Sequence, residues 1–357
     1  MHRIGQSHAK GVANNSSRAA QRSGYTLTFS INRDTAMKKN VVAFNRLAPD
    51  LIERLAVDFN VTQLVSPADL PAALAAGPVH GLIGAGWQLG RTQLAAAEGL
   101  EVVSTISVGY DNYDLEYLNE RGILLTNTPD VLTETTADLA LALMLAAARR
   151  IVELDGWLRA GNWRAGLGPA QFGSDVYGKT LGIVGLGNIG AAIARRGRFG
   201  FGMPILYAGN SRKPELEREL GADFRDLDSL LGEADFVCLV VPLSERTRQL
   251  IGRRELGLMK SSAMLINVAR GPVVDEAALV EALRDGQIRA AGLDVYEEEP
   301  LAESPLFDLP NLVCVPHIGS ATHETRRAMA ELAVQNLQLA LKGETPVHMV
   351  NPQVRAR

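Results

Sequence analysis

Cysteine is scarce: the chain has two in 357 residues, Cys238 and Cys314, each inside an apolar run that reads as a buried strand. This argues against a disulfide framework or a thiolate metal site, and suits reduced core thiols in a reducing compartment. Basic charge is not in excess either. A formal net charge of −4 gives no general electrostatic reason to bind nucleic acid, which is set aside as the main partner. No stretch approaches the roughly 20 apolar residues of a membrane span, and the N-terminus lacks the apolar core of a secretory signal. The expectation is a cytoplasmic protein with no membrane partner and no metal.

What is there is the composition of a soluble globular protein, 46% apolar, 21% charged and rich in glycine. At this length two domains are the natural prior. Residues 1–36 differ in kind, being rich in Ser, Asn, Arg and Gly with Asp34 as their one acid. They read as a disordered extension ahead of the start-like "MKKNVVAFNRL" at Met37, with an organelle transit peptide as the alternative.

From Val41 onward short apolar runs alternate with helix-like segments. "VVAF" (41–44), "HGLIGAG" (80–86), "EVVSTIS" (101–107) and "GILLTN" (122–127) read as strands, and 49–57, 91–98 and 114–121 as amphipathic helices. A long helix is expected over "TETTADLALALMLAAARRIVELDGWLRAG", opened by Thr133 and closed by Gly161. A second series follows at 180–187, 203–208, 236–242, 263–269, 291–295 and 312–316. These near-continuous apolar runs suit parallel strands covered on both faces. Helical segments at 189–199, 214–220 and 275–285 separate several of them, which suggests a doubly wound sheet. Such a sheet binds its ligand outside the carboxyl ends of its strands. The last helix, after His317, is expected to return and pack on the first unit.

"LGIVGLGNIGAAIARR" places Gly185, Gly187 and Gly190 directly after a strand and at the opening of a helix. There glycines permit the tight turn and close backbone approach that a dinucleotide pyrophosphate needs, and the helix N-terminus favours its charge. A site preferring NAD usually ends the next strand on an acid for the ribose 2′-hydroxyl. Here that strand runs "ILYAGNSRKPE", with Ala208 at the expected position, followed by Asn210, Ser211, Arg212 and Lys213. A guanidinium pairs with a 2′-phosphate where a carboxylate would repel it, so NADPH is expected in preference to NADH.

Three polar residues sit where three late strands should end: Arg270 after "MLINVA", Glu299 in "DVYEEEP" and His317 after "LVCVP". Loops at the carboxyl ends of parallel strands open on one crevice, so the three can converge. Reduction of a 2-keto acid requires just such groups. His317 suits the proton donor, Glu299 the carboxylate that orients it, and Arg270 the group that holds the substrate carboxylate and polarises the keto group.

"GLGNIG", "NVARGPVVDEAALVEALRDGQIRAAGLDVYEEEP" and "VPHIGSAT" resemble the D-isomer-specific 2-hydroxyacid dehydrogenases. "STISVGYDNYDL" and "FGFGMPILY" are most like the bacterial glyoxylate and hydroxypyruvate reductase branch of that family. The resemblance implies an α/β fold of two doubly wound parallel-sheet domains. A Rossmann-type cofactor domain (132–319) would be inserted into a flavodoxin-like substrate domain (37–131 and 320–350). It implies Arg270, Glu299 and His317 as the catalytic set, with backbone N–H groups around Val108 and Gly109 on the substrate carboxylate. The cofactor site it implies runs over Gly185, Leu186, Gly187, Asn188, Ile189 and Gly190, the 210–213 loop, Val241, Pro242, Ala269, Asp294, His317 and Gly319. Asp294 would take the nicotinamide carboxamide. The implied activity is NADPH-dependent reduction of glyoxylate, hydroxypyruvate and, as a further candidate, 2-ketogluconate by a homodimer. Two rivals stand beside it: an NADH-dependent lactate-type dehydrogenase, disfavoured by Ala208, and a non-catalytic dinucleotide-sensing interaction protein, which would need no catalytic set. His80, His323, His348 and Trp87 are weaker candidates, and His2 and His8 fall in the extension.

Overall fold

The structure, a computed structural model, describes residues 38–45 and 47–356. The extension at 1–36, with His2 and His8, lies outside the described residues.

Five parallel strands build the first sheet: β1 (Asn40–Phe44), β2 (Asn60–Leu64), β3 (Gly81–Gly84), β4 (Val102–Thr105) and β5 (Leu124–Thr126). Their spatial order is β2-β1-β3-β4-β5, with α1 (Pro49–Asp58), α2 (Leu70–Ala75) and α3 (Leu115–Glu120) among the connections. The alternation of side chains along β1 explains why its run is apolar throughout. Val41 and Ala43 face one core layer, while Val42 and Phe44 face the other.

The second sheet holds β6 (Leu181–Val184), β7 (Ile205–Ala208), β8 (Ala222–Phe224), β9 (Phe236–Leu239), β10 (Met264–Asn267), β11 (Ala290–Leu293) and β12 (Leu312–Cys314). All pairs are parallel, in the order β12-β11-β10-β9-β6-β7-β8. The helices of this half are α4 (Thr133–Ala148), α5 (Ile151–Arg159), α6 (Asn188–Arg195), α7 (Pro214–Leu220), α8 (Leu227–Glu233), α9 (Arg253–Leu258) and α10 (Glu276–Arg284). Ala137, Ala140 and Met144 of α4 pack with Ile183 and Ile266, and Leu279 and Leu283 of α10 pack with Leu239 and Leu265 on the opposite face. Because β6 is flanked by β7 and β9, the strand order reverses at β6, and a crevice is expected to open beyond its carboxyl end.

The last helix, α11 (His323–Leu341), returns to the first sheet. Met329, Ala333 and Leu337 share a core with Val41, Ala43 and Ile83. Burying Met329 and Leu337 contributes about 1.5–3 kcal/mol each relative to exposure.

Three sequence expectations fail locally, each for a physical reason. Residues 91–98 form turns rather than a helix. The segment is confined between Gly90 and Gly99, and burying only Leu94 and Ala97 does not repay helix nucleation. The long helix from Thr133 breaks into α4 and α5 at Arg150, which adopts φ +54° without a glycine. Its guanidinium is anchored by Glu153 and the Ala170 carbonyl, and Ser174 N–H donates to the Ala148 carbonyl at 2.8 Å. Thr133 is the first residue of α4, and its hydroxyl makes no cap. Strands β2 and β8 have no counterpart in the expected series. Both are sheet edges with exposed residues, "NVTQL" and "ADF", so neither carries the apolar run of a central strand.

Candidate active site

The glycine loop leaves β6 at its carboxyl end. Gly185 has φ +104°, a conformation that a side chain resists, and a Cβ on Gly190 would stand 2.3 Å from the Gly185 carbonyl oxygen. That contact brings the start of α6 down onto the strand end. Gly187 caps α6 without a side chain, so the first N–H groups of the helix are left for a ligand. A cavity of about 890 Å³ lies over this turn, lined by Leu186, Gly187, Asn188, Arg212 and Lys213, with Asp130, Thr133 and Glu134 opposite. The cradle fits a dinucleotide pyrophosphate: open space at Gly187, unspent N–H groups, and Arg195, Arg212, Lys213 and Arg218 in the lining.

The next strands in the sheet end on the other predicted groups. Val241 and Pro242 follow β9, Ala269 and Arg270 follow β10, Asp294 follows β11, and His317 and Gly319 follow β12. Adjacent in the sheet, β10, β11 and β12 bring Arg270, Glu299 and His317 to one end of it. His317 Nδ1 lies 2.6 Å from Glu299 Oε2, and Glu299 Oε1 accepts the Tyr296 N–H at 3.0 Å. Burial raises the Glu299 carboxyl, but the hydrogen bond and charge of His317, the Tyr296 N–H and the Arg270 charge outweigh it. The net result is a carboxyl below its ordinary value. An ionised carboxylate only accepts, so the shared proton belongs on Nδ1, and Nε2 is the nitrogen left for chemistry.

His317 itself sits at φ +50°, a left-handed position that costs a bulky residue energy. The loop over-determines it. His317 N–H donates to the Asp294 carbonyl at 2.9 Å, and the Asp294 carboxylate accepts Ile318 N–H at 2.6 Å and Gly319 N–H at 2.8 Å. Asp294 is 2% exposed; burial raises its carboxyl, against the pull of those two N–H groups and of His317. Both Asp294 oxygens are thus engaged in building the loop that carries His317.

The first sheet supplies the facing wall. The Val108 carbonyl accepts Asn127 Nδ2 at 2.9 Å and the Gly109 carbonyl accepts Ser107 Oγ at 2.7 Å. Among the described residues nothing accepts from the N–H of Val108 or Gly109, which leaves both able to receive an anion. Arg270 reaches this wall: its Nε donates to Asp111 Oδ1 at 3.0 Å, and a Cβ on Gly109 would stand 1.5 Å from Nη2.

Around the 210–213 loop the expectation needs correcting in one respect. The fork of Arg212 is partly engaged: Nε and Nη2 donate to Glu217 at 3.0 and 2.7 Å, so the Nη1 side of the guanidinium, the second hydrogen of Nη2 and Lys213 are what this loop offers a phosphate. Glu217 also accepts from Tyr207 Oη at 2.5 Å, and these bonds, Arg212 first, hold its carboxyl down at about 2. The pairing of β7 with the start of α7 explains this. An acid one turn into the helix reaches back to the strand end, a contact invisible in the linear pattern.

The structure places the weaker candidates away from the His317–Glu299 pair's hydrogen bonds. His80 Nδ1 accepts the Asn40 N–H at 3.0 Å beside the first sheet, and Trp87 is buried and stacked on Phe44 with ring centroids 4.3 Å apart. His323 opens α11 on the surface, and His348 packs near Asn336 through its backbone N–H. Sequence reasoning missed Asp111, Glu217 and Tyr296. Asp111 stands two residues beyond Gly109 and was the most accessible of them, had each cation been matched to acids on the facing sheet.

A family model for the NAD-binding domain of D-isomer specific 2-hydroxyacid dehydrogenases matches residues 141–319. Glyoxylate/hydroxypyruvate reductase B of Klebsiella pneumoniae is 52% identical over 323 residues, 89% of this chain and 100% of that protein. Its namesake from Yersinia pestis is 52% identical over 322 residues, covering 89% and 99%. Among solved structures, the NADPH-dependent glyoxylate/hydroxypyruvate reductase of Sinorhizobium meliloti, in complex with NADP and malonate, superposes with a TM-score of 0.79 at 35% identity, covering 88% of this chain and 97% of that one. A glyoxylate reductase from Paecilomyes thermophila gives 0.79 at 33% identity, covering 88% and 99%.

Proposed function

Because the chain belongs to the D-isomer-specific 2-hydroxyacid dehydrogenases, we propose that it reduces glyoxylate and hydroxypyruvate, and 2-ketogluconate as a further substrate, with NADPH in preference to NADH. It is a nicotinamide-dinucleotide-dependent oxidoreductase of 2-keto acids, the reading its relatives' names favour over the sensing alternative. The observation that carries the mechanism is the 2.6 Å contact of His317 with Glu299 at the strand ends next to Arg270.

A bound nicotinamide dinucleotide supplies the hydride. Val108 and Gly109 N–H bind the substrate carboxylate, and Arg270 Nη2 polarises the keto oxygen. His317 holds a proton at Nε2 for the oxygen as charge develops there, and Glu299 steadies the imidazolium through Nδ1. Asp294 keeps the backbone of His317 in its left-handed turn, and is the residue that would hold the nicotinamide carboxamide when the dinucleotide is bound.

The case for NADPH rests on Ala208, where an acid is missing, and on Arg212 and Lys213 lining the cavity. Initial rates with NADPH and with NADH, on glyoxylate, hydroxypyruvate, 2-ketogluconate and pyruvate, test both halves of the proposal. Arg212→Ala is expected to weaken NADPH about 10- to 100-fold, the worth of one charge-assisted hydrogen bond, and to leave NADH unchanged. Equal effects on the two nucleotides would remove Arg212 from cofactor choice.

A homodimer is the proposed assembly. Helix α5 buries none of its residues, and Ile151, Val152, Leu158, Trp163, Leu167 and Phe172 form an exposed apolar run on it and the chain that follows. Sedimentation equilibrium should give twice the chain mass, and Trp163→Asp should shift it toward the single chain; an unchanged monomer in both would refute the assembly. Both cysteines are free thiols, as suits the reducing, cytoplasmic setting proposed here, and burial pushes the Cys238 thiol up to about 12, which keeps it unreactive. Among the described residues no helix is long and apolar enough to cross a membrane.

A further inference from the structure

Arg270 extends from the second sheet, yet its terminal group is held by the first. Nε donates to Asp111 Oδ1 at 3.0 Å, and Nη1 donates to the Ala269 carbonyl at 2.8 Å. A guanidinium is planar, so two fixed nitrogens fix the third. Nη2 is then left at Gly109, so close that no side chain could occupy that position. The backbone beneath is braced as well: Asn267 donates to the Arg270 carbonyl at 3.1 Å and accepts the Ala269 N–H at 3.0 Å.

We propose that Asp111 is the positioning residue of Arg270, locking the guanidinium across the crevice so that Nη2 stands at Gly109 before the keto acid arrives. Both partners are about one-third exposed, so the pair adds little to stability, and its effect lies in geometry. A free arginine side chain would have to give up several rotors on binding substrate; here that ordering has been done in advance. Asp111 uses a single oxygen on Nε, which leaves the hydrogens of Nη2 unspent. The inference rests on the role proposed for Arg270 and names the group that aims it.

The test is a double-mutant cycle on the full chain, with steady-state kinetics on glyoxylate and a separate dinucleotide titration by fluorescence. Asp111→Ala is expected to lower kcat/KM about 10- to 100-fold, as a misplaced catalytic group does. Dinucleotide affinity should stay within about twofold, as for a site remote from that change. Asp111→Asn should recover most of the activity, because its side-chain oxygen can accept the same N–H. In an Arg270→Ala background the Asp111→Ala change should cost nothing further. The inference is overturned if Asp111→Ala alone keeps normal kcat/KM, if its effect multiplies with that of Arg270→Ala, or if dinucleotide binding falls in parallel with turnover. Near-normal activity of Arg270→Ala alone is a different result: it removes the arginine's own role.

Discussion

His317→Asn is expected to lower kcat about 100- to 10,000-fold on every keto acid turned over, with dinucleotide affinity and thermal midpoint retained. Asparagine is the replacement of choice because His317 occupies φ +50°, which asparagine tolerates and alanine does not. A loss of rate therefore reports the missing proton donor rather than a sprung loop. Glu299→Gln should fall less far, since a neutral amide oxygen can still orient Nδ1–H but no longer stabilises the imidazolium. The measurement is single-turnover oxidation of pre-bound dinucleotide after rapid mixing with glyoxylate, which isolates the chemical step from release. A rate near that of the unaltered protein, in folded His317→Asn, would take the imidazole out of the mechanism.

The second large effect is expected at Arg270. Arg270→Ala should lower kcat/KM about 100- to 1000-fold, the usual consequence of removing one preorganised donor from a developing oxyanion. Arg270→Lys should rescue little of it. Three directions of the guanidinium are committed at once, to Asp111, to the Ala269 carbonyl and to the space at Gly109, and an ammonium on a flexible stem cannot reproduce a planar fork. Glyoxylate carries no substituent beyond its aldehyde carbon, so it reads this contact with the least interference from the rest of the pocket. If lysine restored full activity, charge rather than geometry would be what the site requires.

The sequence announces these groups because each strand end is marked by an abrupt change, from an aliphatic run to a glycine, a cation or a histidine. Gly185, Arg270 and His317 stand at such boundaries, and the crevice of a parallel sheet collects them. Contacts made between distant pieces of chain leave no such mark. The Arg212–Glu217 fork depends on how α7 meets the end of β7, and Arg270–Asp111 on how one sheet faces the other. Local backbone departures are equally hidden. Arg150 turns left-handed because of anchors from residues about twenty positions later, and edge strands β2 and β8 lack the two-sided burial that makes a run apolar. What was legible in sequence was the sheet interior and its exits; the rest needed partners assembled in space.

The return of α11 to the first sheet sets a rule for engineering chimaeras. The second sheet cannot be exchanged for that of a relative with a different nucleotide preference by a single splice, because Met329, Ala333 and Leu337 close the core under β1 and β3 from the far end of the chain. A graft needs two junctions, one before α4 and one between β12 and α11. The downstream junction falls within a few residues of His317, so the transplanted piece must carry its own histidine loop and the host must keep its own closing helix.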